Sequence, residues 1–185
     1  MISKEVAIAV KNDDSLVVHR ISKNVYWVGS TYALVKLNTK EFEAFKDRYN
    51  SYKRTPNIPE GIELEKSICF VRGEFQAEGP NVNLVIQGPN RADDLKEVKR
   101  TSFKFGAEDK NVSLYSIKGT LAGYNSKYDR IIEKFRVHKA LNEYNPIRCY
   151  EGSELKAVVM PVRLSALPMA KEYAIMVQAE LPERG

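Results

Sequence analysis

One pattern limits what this chain can fold into more than any other. Short runs rich in β-branched and aromatic residues are separated by turn residues and closed by an amphipathic helix, and a similar order then recurs. The first occurrence fills residues 1–52. Val6-Ala7-Ile8-Ala9-Val10 forms the apolar centre of a strand over 4–10, followed by the turn residues Asn12-Asp13-Asp14-Ser15. Leu16-Val17-Val18-His19-Arg20-Ile21 reads as a second strand, Val25-Tyr26-Trp27-Val28 as a third, and Tyr32-Ala33-Leu34-Val35-Lys36-Leu37 as a fourth. Asn38 or Thr39 then caps a helix, and Glu41 stands three places after Asn38, the spacing of a capping box. Phe42, Phe45, Tyr49 and Tyr52 recur at three- and four-residue steps and share one face of it. Such a stripe could stack on bases, but a helical apolar stripe is normally the face that packs on a sheet, and that is the expectation here.

Residues 53–61, with Pro56 and Pro59, read as a linker. The second occurrence fills residues 62–144. A long extended segment over 62–78, with a bulge at Gly73, pairs back through a turn at Gly79-Pro80-Asn81 to a strand over 82–87. One or two helical turns over 92–99 precede strands over 101–105 and 112–118. A second helix starts at Ser126, with Tyr128, Ile131, Ile132, Phe135, His138 and Leu141 on its apolar face, and ends before Asn145-Pro146. Strands around 148–150, 155–164 and 172–181 complete the chain, and Pro161 favours an edge or a bulge. The predicted class is α+β: repeated β-β-β-β-α units forming twisted antiparallel sheets packed against two main helices. At 185 residues the chain fits a single domain, with pseudo-repeat units 1–52 and 62–144 and a C-terminal β extension over 147–182.

Specific chemical motifs are scarce. Gly119-Thr-Leu-Ala-Gly123 lacks the Lys-Ser/Thr of a P-loop and reads as a turn and helix entry. Cys69 and Cys149 lie eighty residues apart without metal-site spacing and are expected to be reduced and buried. His19 and His138 have no neighbouring Cys/His/Asp cluster, so neither a metal nor another cofactor is implied. The pairs Asp13-Asp14 and Asp93-Asp94 read as solvated turns. The expectation is a non-catalytic protein. The longest apolar stretches fall far short of the ~20 residues that span a bilayer. Nor does the N-terminal Met1-Ile-Ser-Lys-Glu-Val have the regions of a signal peptide, so a cytoplasmic location without membrane association is expected.

Charge carries the functional expectation. Residues 98–139 hold ten Lys/Arg against four Asp/Glu, whereas the rest of the chain holds nineteen against twenty. In Thr101-Ser102-Phe103-Lys104-Phe105, strand alternation puts Ser102 and Lys104 on one face and the two phenylalanines on the other. Cations that follow a phosphate backbone, beside rings that stack on bases, are the means by which single strands are held. The phosphate-contact candidates are Lys99, Arg100, Lys104, Lys118, Lys127 and Arg130, with Lys110 extending the same positive surface. The stacking candidates are Tyr26, Trp27, Tyr32 and Tyr124, each weighed against burial in the core.

Four antiparallel strands followed by a helix, repeated, resembles the unit of whirly-type and PUR-type proteins. The resemblance is architectural and covers about three quarters of the chain; no family sequence motif accompanies it. It implies sheets swept around helices, a basic sheet surface that binds single-stranded RNA or DNA, and self-association into a homo-oligomer. The expected function is therefore low-specificity binding of single-stranded nucleic acid, RNA slightly favoured. The alternative is a protein–protein adaptor or inhibitor, of viral or mobile-element type, that docks on a protein partner through a sheet edge or its basic face.

Overall fold

The computed structural model describes residues 1–163 apart from 12, 14, 53–56, 72–73, 77–78, 89–93 and 108–109, together with the side chains at 107 and 110. The predicted bulge at Gly73 and the predicted strand over 172–181 lie outside the described residues, as do parts of the linker and of the 92–99 segment. The described chain contains eleven strands, mostly paired in antiparallel fashion, and four α-helices, an α+β composition. It divides into two compact units, Met1–Gly88 with Leu155–Val158, and Pro89–Glu154 with Val159–Gly185.

The first unit opens with a helix where a strand was expected. α1 spans Ile2–Val10; Ser3, Val6, Ala7, Ala9 and Val10 are buried, and all but Ala9 follow the three- and four-residue spacing of one helix face. The apolar run at 6–10 fits either a buried strand or a helix. Packing decides between them: α1 lies against α2 (Thr39–Asn50) and against the sheet. Strands β1 (Ser15–Ser22), β2 (Val25–Ser30) and β3 (Ala33–Asn38) form the expected meander. Gly29 is needed where β2 turns into β3, because a Cβ there would run into the Ala33 carbonyl oxygen. Tyr32 sits in the two-residue loop between Ser30 and Ala33 and is exposed.

α2 spans Thr39–Asn50 and has the predicted capping box: Glu41 N–H donates to Asn38 Oδ1 at 2.9 Å, and Asn38 N–H donates to Glu41 Oε2 at 3.0 Å. Its aromatic stripe packs inward. Tyr26 on β2 stacks on Phe42 with ring centroids 4.0 Å apart, and Phe42, Phe45 and Tyr49 continue the row.

Beyond the linker, β4 (Ser67–Val71) pairs with β1, and the short β5 (Glu74–Gln76) pairs with β4. Residues 82–87, expected to be a strand, form α3 (Val82–Gln87). Val82, with Val85 and Ile86, packs against Val17, Trp27, Leu34 and Cys69. In a strand Val82 and Val85 would face opposite sides, whereas one helical turn puts Val82, Val85 and Ile86 on the same apolar cluster. α3 thus covers one face of the β1–β2–β4 sheet, while Tyr26 on the opposite face meets α2.

In the second unit, β6 (Lys96–Ala107), β7 (Lys110–Ile117) and β8 (Thr120–Asn125) form a second meander. The Lys96–Lys99 stretch is strand rather than helical turns. Likewise, the Gly119–Gly123 segment is not a helix entry. Lys118 and Gly119 both take positive φ, 47° and 77°, and close a two-residue hairpin between Ile117 and Thr120.

The second predicted helix is much shorter than its apolar periodicity suggests. A 3-10 turn (Ser126–Tyr128) and α4 (Asp129–Ile132) are all that form. Tyr128, Ile131 and Ile132 are buried as expected, but His138 lies on β9 (Val137–Ala140). β9 pairs with β6 and with β10 (Ile147–Glu151), so its backbone groups are satisfied by neighbouring strands, one of them about forty residues earlier in the chain, instead of by a helical ladder. β11 (Glu154–Val159) stops before Pro161, which lies just beyond its end rather than within it.

Candidate nucleic-acid interface

Strand β6 presents the alternation read in its sequence. Ser102, Lys104 and Gly106 are exposed, while Phe103 and Phe105 pack against Val112, Leu114 and Leu121. An irregularity interrupts the ladder between Arg100 and Lys104. Arg100 faces Tyr115 and Lys104 faces Ser113, so three residues of β6 are accommodated opposite Leu114 alone. Thr101 holds this bulge, its hydroxyl donating to the Leu114 carbonyl at 2.7 Å and accepting from Phe103 N–H at 3.2 Å.

The bulge brings Arg100, Lys104, Ser113 and Tyr115 to one carboxylate. Asp129, at the start of α4, is 5 % exposed. Its Oδ2 accepts from Ser113 Oγ at 2.6 Å and from Arg100 Nη2 at 3.2 Å, with Lys104 Nζ at 3.4 Å; its Oδ1 accepts from Tyr115 OH at 3.1 Å. Arg100 also pairs with Glu133. A buried carboxylate persists only when hydrogen bonds and opposite charge replace its water, and four groups do so here. Burial, and then the Asp129 charge, push the Tyr115 phenol well above its ordinary range, so Tyr115 remains a neutral donor. Nothing local in the sequence marks this cluster. Asp129 reads there only as an acid in a first helical turn, although Ser113 and Tyr115 at i and i+2 share a strand face.

The six predicted phosphate contacts therefore fall into two groups. Arg100 and Lys104 are exposed at their edges but engaged with Asp129. Lys99, Lys118, Lys127 and Arg130 are exposed outside that cluster. Lys99 Nζ lies 3.8 Å from Glu97 across a fully solvated gap, an interaction worth little. Lys127 Nζ sits 4.9 Å above the Tyr128 ring. The side chain of Lys110 lies outside the described residues. Among the described side chains from 96 to 140, nine Lys/Arg are exposed against two acids, Glu97 and Glu133.

The aromatic half of the expectation is largely overturned. Tyr26 is buried against Phe42, Trp27 lies in the core under α3, and Tyr124 is fully buried. Tyr124 meets Tyr115 edge-on at 5.4 Å and donates to the Asn145 carbonyl at 3.1 Å. Rings this enclosed offer no face to a base; their burial fills the two cores. Tyr32, at its hairpin tip, is the one exposed ring of the four.

Cys69 and Cys149 are free and buried as expected, with both thiols pushed up by burial. The described residues hold no group of His, Cys, Asp and Glu that would bind a metal, and none of their helices is long and apolar enough to cross a membrane. No protein-family model matches the chain, and no curated protein or solved structure matches it either.

Proposed function

We propose that the second unit binds single-stranded nucleic acid through the cationic surface built on β6, the β7–β8 hairpin and the entry to α4. The observation that carries this reading is the exposure of nine Lys/Arg against two acids among the described side chains from 96 to 140. A surface so unbalanced in sign attracts polyanions at long range, and its affinity comes from counterion release.

Lys99, Lys118, Lys127 and Arg130 serve as the principal phosphate contacts. Arg100 and Lys104 contribute less, because their charge is partly balanced by Asp129 and Glu133. With Tyr26, Trp27 and Tyr124 enclosed, stacking contributes little, and binding is electrostatic and nearly indifferent to sequence. Single strands are the proposed form, RNA slightly ahead of DNA, because a flexible strand can follow an irregular cationic surface.

Fluorescence-anisotropy titration of labelled single-stranded RNA, single-stranded DNA and duplex at low and near-physiological salt tests the proposal. Micromolar, steeply salt-dependent binding to a single strand is the expected result. Absence of binding at low salt overturns it. A protein captured on the same surface after nuclease treatment would assign the charge to an acidic protein partner instead.

A further inference from the structure

His19 on β1 and Ser67 on β4 are directly opposed across the sheet, and His19 Nδ1 lies 2.8 Å from Ser67 Oγ. Both line an open cavity of about 700 Å³ in the first unit, walled by residues 59–63, 65–68 and 79–83. The histidine is 2 % exposed, and its Nε2 is buried without a hydrogen bond. A buried, unpartnered ring nitrogen on a cavity wall is costly to keep for packing alone.

We propose that Ser67 and His19 form a nucleophile–base pair for acyl transfer, acting on small neutral or cationic esters that enter this cavity. The proposal does not depend on the nucleic-acid reading of the second unit. With the ring proton on Nε2, Nδ1 accepts the hydrogen bond from the Ser67 hydroxyl, the geometry of an activated nucleophile. Burial lowers the basicity of His19 and keeps the ring neutral at rest, while the Lys66 backbone, the Asn83 side chain and the Glu65 charge favour its protonated form. A base that is neutral at rest and supported when charged is suited to taking a proton in a transition state.

In the reaction, Ser67 Oγ bonds to the ester carbonyl carbon and its proton passes to His19 Nδ1. The carbon–alkoxide bond breaks, and the departing alkoxide takes that proton. Water, deprotonated by the same nitrogen, then cleaves the acyl-serine to release the acid and restore Ser67. The Asn81 side chain, which makes no capping bond to α3, lines the cavity and supplies an N–H donor for the carbonyl oxygen. Glu60, Glu63 and Glu65 outnumber Lys66 in the lining, which disfavours anionic substrates.

The test uses a neutral fluorophosphonate probe on the full chain. There, Ser67 Oγ bonds to phosphorus, fluoride leaves, and the proton passes to His19. The expected result is one adduct per chain, mapped to Ser67 by mass spectrometry and abolished in Ser67→Ala. The labelling rate should hold near pH 6.5, because burial lowers the basicity of His19, and fall only at more acidic pH, where the buried imidazole protonates. His19→Gln should slow labelling at least tenfold. If that variant fails to fold, Asn83→Ala, on the partly exposed α3, should slow it severalfold. No adduct at Ser67 in the unaltered chain, or a rate unchanged by the His19 or Asn83 substitution, would overturn the proposal.

Discussion

Asp129 Oδ2 accepts a 2.6 Å hydrogen bond from Ser113 Oγ, and both groups are almost wholly buried. This short bond joins the start of α4 to the middle of β7. Tyr115 donates to the other carboxylate oxygen, and Arg100 approaches from β6. The acid therefore fastens α4 to two strands and draws cationic side chains from the surface of the second unit.

Replacing Asp129 should be costly for the fold. Asp129→Ala leaves two buried hydroxyls without an acceptor and should destabilise the protein by about 3 kcal/mol, measured by urea unfolding. Loss of less than about 1 kcal/mol would show that water or rearrangement replaces the carboxylate.

The same residue restrains the cationic surface. In Asp129→Asn, Arg100 and Lys104 lose the charge that balances them, and nucleic-acid affinity should rise at low salt with a steeper salt dependence. A double charge reversal at Lys118 and Arg130, outside the Asp129 cluster, should do the opposite. Each lost phosphate contact lowers the slope of log K against log salt by about 1. Anisotropy across a salt series reads both effects.

Trp27→Ala separates core from interface. Trp27 is enclosed beneath α3, so its truncation should cost about 3–5 kcal/mol of stability. Nucleic-acid affinity, measured where the variant remains folded, should be unchanged. A large loss of affinity in that folded variant would restore Trp27 as a stacking residue.

Removing the α2 cap gives a smaller effect. Asn38→Ala deletes one half of the capping box and should cost about 1 kcal/mol in chemical denaturation. Phe45→Ala, in the aromatic row of the same helix, should cost several times as much.

His19 makes stability depend on pH. Burial depresses its folded-state pKa below the ordinary value of 6.5. Between the two values the unfolded chain binds the proton and the folded chain does not, so stability falls as pH drops below about 6.5 and levels off beneath the folded pKa. Comparison with His19→Gln over pH 4–8 isolates this contribution, since the variant should lack that part of the slope.

How far the sequence is legible depends on how local each signal is. The β1–β2–β3 meander and the Asn38–Glu41 capping box can be read because turns and caps involve neighbouring residues. So can the inward face of β6, where Phe103 and Phe105 alternate with exposed residues. The α1 segment reads wrongly as a strand because five apolar residues in a row satisfy both a strand and a helix. Within its buried set, Ser3, Val6, Ala7 and Val10 follow the helical period that the run itself conceals, with Ala9 buried beside them.

Among the stacking candidates, composition alone leaves Tyr26, Trp27 and Tyr124 open to either burial or exposure. Packing against Phe42, α3 and Tyr115 assigns all three to the interior. By itself, the sequence determined the β1–β2–β3 meander, the capped α2 and the concentration of positive charge over residues 98–139, because alternation, capping and charge are properties of neighbouring residues. Only tertiary structure decided that the second helix stops at Ile132 so that β9 can pair with β6 and β10. It alone brought Asp129 to Ser113 and His19 to Ser67, sixteen and forty-eight residues apart. Those contacts arise from strand register and from burial of polar groups that must find partners, and both are set by residues distant along the chain.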